Sequence, residues 1–385
     1  MSKNLIKGLT VFLFVVAVAT WNLNFGSKTD GSLSNLTFAE SEVLAQVEST
    51  GGSGSGSCQL MSQIDHYSLC DGVLTEQKNG AVIDLDKARL NTEDYFLYSS
   101  IYKGVKTILL ETNESCLVGV MNKMRVYDPY IIILDANIAK SVLIFDMTGR
   151  FIRKIGSVGS GPREYTHPLD FAVDKEENLI YVIDGFLNKI NKYDLTTGEF
   201  IHSIILDRDV RSYNIEYVGG KLFADAYFNK HSDDNYLIRI IKEPSGKIDG
   251  RFLNVNKYGK GFSNSSLIYN NVFHLRDNGN VIFFQPLMDQ IIEISNESVS
   301  ILLEFRSKDL ITSENIKTVM EKNPLHPMLD LVQYNKYFKI IDFIEYGNII
   351  QINYQKGNQL RLVLFNKQTN EVSIFQKRHD DLYLK

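Results

Sequence analysis

The chain has 385 residues, 44% hydrophobic, 23% charged and 11% aromatic, with a formal net charge of −5. These values exclude a disordered chain, a collagen-like fibre and a multi-span membrane protein, and leave room for one large domain or two ordinary ones. The acidic balance gives no support to a phosphate-binding surface, so no nucleic-acid partner is expected. Twenty Tyr and 22 Phe beside one Trp lean towards strand.

Lys3 and Lys7 precede an almost wholly apolar run, LTVFLFVVAVA at 9–19, which closes on Ala17-Val18-Ala19. Charged, apolar and small residues in that order form a secretory signal, with residues 1–19 as the signal peptide and cleavage expected after Ala19. The run is shorter than the ~20 residues needed to span a bilayer. No stable membrane span is therefore expected after processing. The protein is expected in the periplasm, at the cell surface or secreted. Residues 20–57 lack periodicity and end in GGSGSGS at 51–57, which has no side chains to bury. They read as a disordered leader remnant and tether, with the folded domain over 58–385.

WNLNF at 21–25, followed by Glu42, Leu44 and Ala45, resembles the leader of bacterial NVEAL-type proteins. Those leaders carry a signal, an Asn-rich stretch and Asn-Val-Glu-Ala-Leu-Ala before the mature start. The sequence departs from that motif at Glu40, Ser41 and Val43. The resemblance implies a second cleavage near Ala45.

The three cysteines are Cys58, Cys70 and Cys116. Export permits a disulfide, and Cys58 and Cys70 are close enough in sequence to close a small loop. Cys116 is expected to be a buried small hydrophobe. No C-x-x-C pair exists, so a zinc ribbon or redox pair has no support.

The body of the chain repeats. YIIILDANIAKSVLIFDMTGRFIRKI at 130–155 is matched by LIYVIDGFLNKINKYDLTTGEFIHSI at 179–204. Asp135 and Asp184, Gly149 and Gly198, and Phe151 and Phe200 are each 49 residues apart. Each unit reads strand, Asp, polar turn, strand, Thr-Gly turn, strand. Weaker copies begin after Gly220, Gly279 and Gly347. Units of about 50 to 70 residues fit four-stranded propeller blades with insertions. Strand-like remains at 81–88 and 106–112 are read as parts of a further blade, with N-terminal strands completing a C-terminal blade to close the ring. The expected fold is an all-β propeller with six four-stranded blades as the best count and five or seven left open, with a short helical insertion. That insertion lies at 306–336, where Ser313, Ile316, Val319 and Met320 are spaced for an amphipathic helix before Pro324 and Pro327. Residues 254–268 form a second, polar insertion, and functional residues concentrate on such loops.

The Gly-rich segment 156–165 lacks the Lys-Ser/Thr ending of a P-loop and is followed by strand-like Phe171–Asp174. It reads as a crossover between blades. The run Thr107–Thr112, IGSVGSGPREY, Asp170-Phe171, IYVID and KYDLTTGEF resembles six-bladed β-propellers found behind such leaders in gut-type Gram-negative bacteria. Those proteins are related to NHL-repeat and TolB-like propellers. The resemblance implies a fold and an exported compartment, without a settled activity.

Asp135, Asp184 and Asp225 hold one repeat position, which becomes Gln285 and Asn353 in the later units. A ring of channel-facing carboxylates would bind calcium. As turn caps, the same residues would accept backbone hydrogen bonds, and recurrence once per blade favours that role. The seven His residues form no i,i+4 pair, and no G-x-S-x-G is present. No catalytic residue and no resident cofactor is therefore assigned. Arg163, Glu164 and Tyr165 on the crossover, and Tyr227 in an aromatic-rich repeat, are the candidates for a ligand face. The expected function is an exported binding or scaffold protein engaging a glycan, a peptide or an envelope protein on one face. The alternative is a calcium-assisted hydrolase or lyase using the Asp set.

Overall fold

The computed structural model describes residues 12–15, 75–77, 80–102, 105–207, 211–226, 235–261, 271–276, 278–323, 327–379 and 381–382. Five strands precede the repeats: β1 (Phe12–Val15), β2 (Thr75–Gln77), β3 (Ala81–Asp84), β4 (Arg89–Leu97) and β5 (Val105–Ile108). Blade 1 is β6 (Lys123–Tyr127), β7 (Tyr130–Asp135), β8 (Ser141–Asp146) and β9 (Phe151–Ile155). Blade 2 is β10 (Pro168–Asp174), β11 (Leu179–Asp184), β12 (Lys189–Asp194) and β13 (Phe200–Ile205). Blade 3 is β14 (Ile215–Val218), β15 (Lys221–Asp225), β16 (Tyr236–Lys242) and β17 (Lys247–Asn254). Blade 4 is β18 (Phe273–Leu275), β19 (Val281–Phe283), β20 (Gln290–Ile294) and β21 (Ser298–Arg306). Blade 5 is β22 (Tyr337–Tyr346), β23 (Ile349–Lys356), β24 (Gln359–Asn366) and β25 (Val372–His379). In every blade the four strands pair antiparallel in chain order.

The architecture is thus an all-β propeller, but with five blades rather than six. The five repeat units are the five blades. The strand-like remains near the N-terminus build no sixth blade. Instead β2 and β3 pair in parallel with β21, and β4 pairs in parallel with β25. They add fifth and sixth strands outside blades that are already complete, and so cover two edges that would otherwise be open. β5 pairs in parallel with β1.

Each blade is sandwiched between neighbours, which explains why its middle strands read as unbroken apolar runs rather than alternating ones. Residues 131–135 and 180–184 are buried on both sheet faces. One apolar cluster joins blades 1 and 2 around Ile144, Tyr165 and Phe171, and another joins blades 2 and 3 around Tyr181, Ile204 and Leu222. Blades 3 and 4 share Phe252, Phe273 and Phe283, and blades 4 and 5 share Phe305, Ile340 and Tyr354 together with Ile83 and Leu85 of the N-terminal segment. The remaining side of blade 1 packs on Ile108, Leu110 and Cys116. Cys116 is buried as expected, with its thiol set against the Glu111 carbonyl.

The Thr-Gly turn of the repeat has a steric reason. Gly149 sits at φ +90°, and a Cβ there would run into the Leu109 carbonyl. Gly246 repeats this in blade 3 at φ +71°, against the Ile205 carbonyl of blade 2. In blades 1 and 3 the third-to-fourth strand turn therefore leans on the strand before it in the ring, which only glycine allows there. At blade 1 the segment around Leu109 plays the part that an outer blade strand plays elsewhere.

The helical insertion is α2 (Ser313–Lys322), followed by α3 (Pro327–Leu331). Thr312 caps α2 in a capping box with Asn315. Ile316 and Val319 bury its apolar side against Leu287, Ile311 and Phe338. The polar insertion contains the one-turn helix α1 (Val255–Tyr258). Residues 19, 42–45, 58 and 70, on which the cleavage sites and the small-loop pair fall, lie outside the described residues.

Candidate functional site

In a ring of identically ordered blades, all turns of one type emerge on the same face. The turns between second and third strands share a face with the blade-to-blade crossovers, here called the upper face. Both insertions fall in crossovers, between β17 and β18 and between β21 and β22, so their described residues, 255–261, 271–272, 307–323 and 327–336, belong to this face.

The repeat Asp residues hold this face together. Oδ2 of Asp135 accepts the N–H groups of Gly119 and Val120 at 2.7 and 2.9 Å, and Oδ1 accepts those of Asn137 and Ile138 at 3.2 and 2.8 Å. Asp184 takes the N–H groups of Phe186 and Leu187 on Oδ1 at 3.0 and 3.1 Å, and the Thr166 N–H on Oδ2. Asp225 accepts from Tyr213 N, Asn214 N and the Asn214 amide at 2.7 to 2.9 Å. Burial pushes the Asp225 carboxyl up from its ordinary value, opposed by these hydrogen bonds. Each Asp therefore caps its own turn, or clamps the loop leading into its blade, or both. The three stand in three separate blades. Among the described residues no three His, Cys, Asp or Glu side chains gather as a metal-ligand set.

The axis holds something the sequence did not suggest. Lys123 and Arg125 lie two residues apart on the innermost strand of blade 1 and so point to one side. Both are buried, as are Asp170 and Glu216 on the innermost strands of blades 2 and 3. Lys123 Nζ is 2.7 Å from Asp170 Oδ1 and 3.9 Å from Glu216 Oε2, and donates to the Phe171 carbonyl at 2.8 Å. Arg125 Nη2 reaches Glu216 Oε2 at 3.3 Å and the Phe273 carbonyl of blade 4 at 2.7 Å. Asp170 Oδ2 and Glu216 Oε1 also accept the N–H groups of Ile215 and Tyr217. Blade 1 thus touches blades 3 and 4, which are not its neighbours, so these contacts cross the axis. Nearer the upper face Asn271 repeats this, donating its N–H to Asn214 Oδ1 and its amide to the Asn122 carbonyl, both at 2.9 Å. Two cations and two carboxylates balance one another in place of a ring of Asp residues. His274 stacks on Phe284 at 4.7 Å with nearly parallel rings. Burial, with Arg125 and Lys123 nearby, lowers its pKa to about 3 and keeps it neutral.

The ligand-face candidates separate. Arg163 is exposed and Glu164 half-buried, with Glu164 Oε2 accepting the Gly161 N–H at 2.8 Å. Tyr165 is only 1% exposed, and its hydroxyl donates to the Ile155 carbonyl at 2.7 Å. It is an inter-blade packing residue and cannot meet a ligand on the surface. Burial raises its phenol far above the ordinary range. Tyr227 lies outside the described residues.

The exposed groups of the upper face were missed. Phe186 is 72% and Ile138 66% exposed, at the tips of the second-to-third strand turns of blades 2 and 1. The Phe186 ring lies 3.9 Å from the His167 ring. His167 Nε2 is 3.0 Å from Lys140 Nζ. His167 Nδ1 is buried without a hydrogen-bond partner among the described residues. The available signal was their position: GFLN after Asp184 and ANIAK after Asp135 are turns at one repeat position, each carrying a large apolar residue where turns are usually polar.

The ring of five blades with a filled axis and a decorated upper face defines a five-bladed β-propeller. A family model described as a domain of unknown function, DUF4934, matches residues 80–384, and the chain belongs to that family. No curated protein matches. The chain is similar to the crystal structure of a Bacteroides fragilis protein described as exported, at 19% identity over 77% of this chain and 80% of that one, with a TM-score of 0.63. A Bacteroides vulgatus member of the DUF4221 family is a more distant match, at 11% identity over 70% of this chain and 84% of that one, with a TM-score of 0.42.

Proposed function

We propose that this chain is an exported binding protein that engages a glycan, peptide or protein partner through the upper face of the propeller. The observation that carries this reading is the exposed Phe186 ring, set on the half-buried His167 and Lys140 pair on the face of the blade-to-blade crossovers. Loops on a rigid scaffold are where binding groups concentrate. Against the calcium-assisted hydrolase or lyase stands the state of Asp135, Asp184 and Asp225, whose oxygens already accept backbone N–H groups. Export is supported by the signal-like N-terminus, and by the similarity to a protein described as exported. Among the described residues no helix is long and apolar enough to cross a membrane. A propeller alone hosts many functions, so the site rather than the fold carries the argument.

The test is the melting temperature of the protein beginning at Gln46, measured with panels of glycans and peptides and with calcium or EDTA. A ligand of the native state must raise it. A rise with a glycan or peptide is expected, with no response to calcium. A rise with calcium alone would replace the binding reading with the enzymatic one.

A further inference from the structure

We propose that the edge of β5 is a strand-docking slot, vacated when residues 1–19 are removed and then taken by an extended apolar segment of a partner protein. This goes beyond the upper-face reading: it rests on the expected cleavage after Ala19 and on no feature of that face. Three strands of the molecule carry an added strand in parallel. β21 holds β2 and β3, β25 holds β4, and β5 holds β1. β21 and β25 are the outer strands of their blades. β5 stands at the same place in the ring, one step before blade 1. Gly149 of blade 1 closes on the carbonyl of Leu109, just after β5, as Gly246 of blade 3 closes on that of Ile205, the last residue of the outer strand β13. The Glu111 N–H also donates to the Gly149 carbonyl at 2.7 Å.

The three added strands differ in permanence. β2, β3 and β4 lie beyond the expected cleavage, whereas β1, Phe12–Val15, lies inside the signal peptide. β1 and β5 form a two-stranded sheet, so loss of β1 leaves β5 without a strand partner among the described residues. The backbone N–H and C=O groups that faced β1 then form an open template for another chain. The segment seated there in the full chain defines the occupant. It is FLFV, four bulky uncharged residues in extended form, with Phe12 opposite Val105 and Val15 opposite Ile108. Leu109, the residue after the last pair, is 67% exposed and continues the apolar surface. Lys106 is the one charge on β5. In strand addition of this kind, main-chain pairing gives affinity and alternate side chains give specificity. A saccharide has no such main-chain ladder to offer.

The experiment compares two forms of the protein. One is the full chain made without export; the other is purified from the exporting cell, with its N-terminus read by mass spectrometry. The probe is a fluorescein-labelled peptide of sequence TVFLFVV, residues 10–16, with two added lysines for solubility. The exported form is expected to begin after residue 19. By fluorescence anisotropy it should bind the probe at least tenfold more tightly than the full chain, whose own segment holds the slot. Two further probes carry backbone N-methyl groups, one at the Phe12 and Phe14 positions and the other at Leu13 and Val15. Because the backbone of a strand alternates in direction, only one of the two should lose binding, by at least tenfold. Hydrogen exchange at residues 106–108 should slow when the unmodified probe binds. An exported form that keeps residues 12–15, equal affinity for the two forms, no binding to either, or the same affinity for both methylated probes would each overturn the slot. The upper-face reading fails separately, on the absence of a melting shift with its own ligand panels.

Discussion

Blades 1 to 3 and blades 4 to 5 hold their place in the ring in different ways. In the first three, an Asp at the end of the second strand ties its own turn, the loop leading into the blade, or both, through backbone hydrogen bonds. In blades 4 and 5 that position is Gln285 and Asn353. In blade 5 the carboxylate has moved to the innermost strand, where Asp342 accepts the Asn353 amide at 2.6 Å. Two other devices appear there. The N-terminal strands lie along the outer edges of both blades. Arg276 of blade 4 also grips Glu345 of blade 5 with two hydrogen bonds of 2.7 and 2.8 Å, and Lys367 adds a third cation–carboxylate contact. A carboxylate clamp reaches no further than 18 residues along the chain, whereas a belt strand acts across more than 200. The same ring therefore combines local and long-range fastening.

The largest break should come from the belt. A chain beginning at Val105 lacks β2, β3 and β4 and bares the edges of β21 and β25. It also removes Ile83, Leu85 and Phe96, all buried, each worth about 2 kcal/mol. We expect loss of soluble monomer, or a melting temperature at least about 10 °C lower, read by size-exclusion chromatography and calorimetry. The axis is common to both regions and comes next. Lys123→Met strands Asp170 and Glu216 with too little positive charge, at a cost of about 4 kcal/mol in urea unfolding. Adding Asp170→Leu should return part of that loss, because the second buried charge goes with it.

A smaller change sharpens the comparison. Asp184→Ala leaves the Thr166, Phe186 and Leu187 N–H groups without their acceptor, and we expect about 2 kcal/mol of destabilisation. Gln285→Ala, at the equivalent position of blade 4, should cost clearly less, since no hydrogen bond to its side-chain amide nitrogen is formed among the described residues. A further effect is graded with pH. His274 has a folded pKa near 3 against an ordinary value of 6.5, so the unfolded chain takes up the proton first as pH falls. Its contribution is complete above about pH 6.5 and is lost at up to about 1.4 kcal/mol per pH unit on the way down to 3. His274→Phe should flatten that part of the acid limb of the stability curve.

The first region was the legible one. The strands 130–155 and 179–204, their Thr-Gly turns and the Asp position are all local patterns at a fixed spacing. The helix at 313–322 was readable from its own apolar spacing. The blade count was not readable, because the strands before residue 100 pair with partners more than 200 residues away, and nothing local marks them as outer rather than inner strands. The axial network was hidden for a related reason. Lys123, Arg125, Asp170 and Glu216 sit on short strands where alternate polar residues usually mean a solvated face. Tyr165 was misjudged because its crossover looked like a surface loop, while the Gly-rich backbone around it lets the ring turn inward between two blades.

Hydrogen exchange on the folded protein tests the two kinds of fastening most directly, comparing Asp184→Ala with the chain that begins at Val105. The account predicts that Asp184→Ala speeds exchange at Thr166, Phe186 and Leu187 and leaves β21 and β25 protected. Removal of the belt should deprotect β21 and β25 and spare those three amides. If both changes deprotect the same amides, or if either one loosens all five blades equally, the division between clamped and belted blades is wrong.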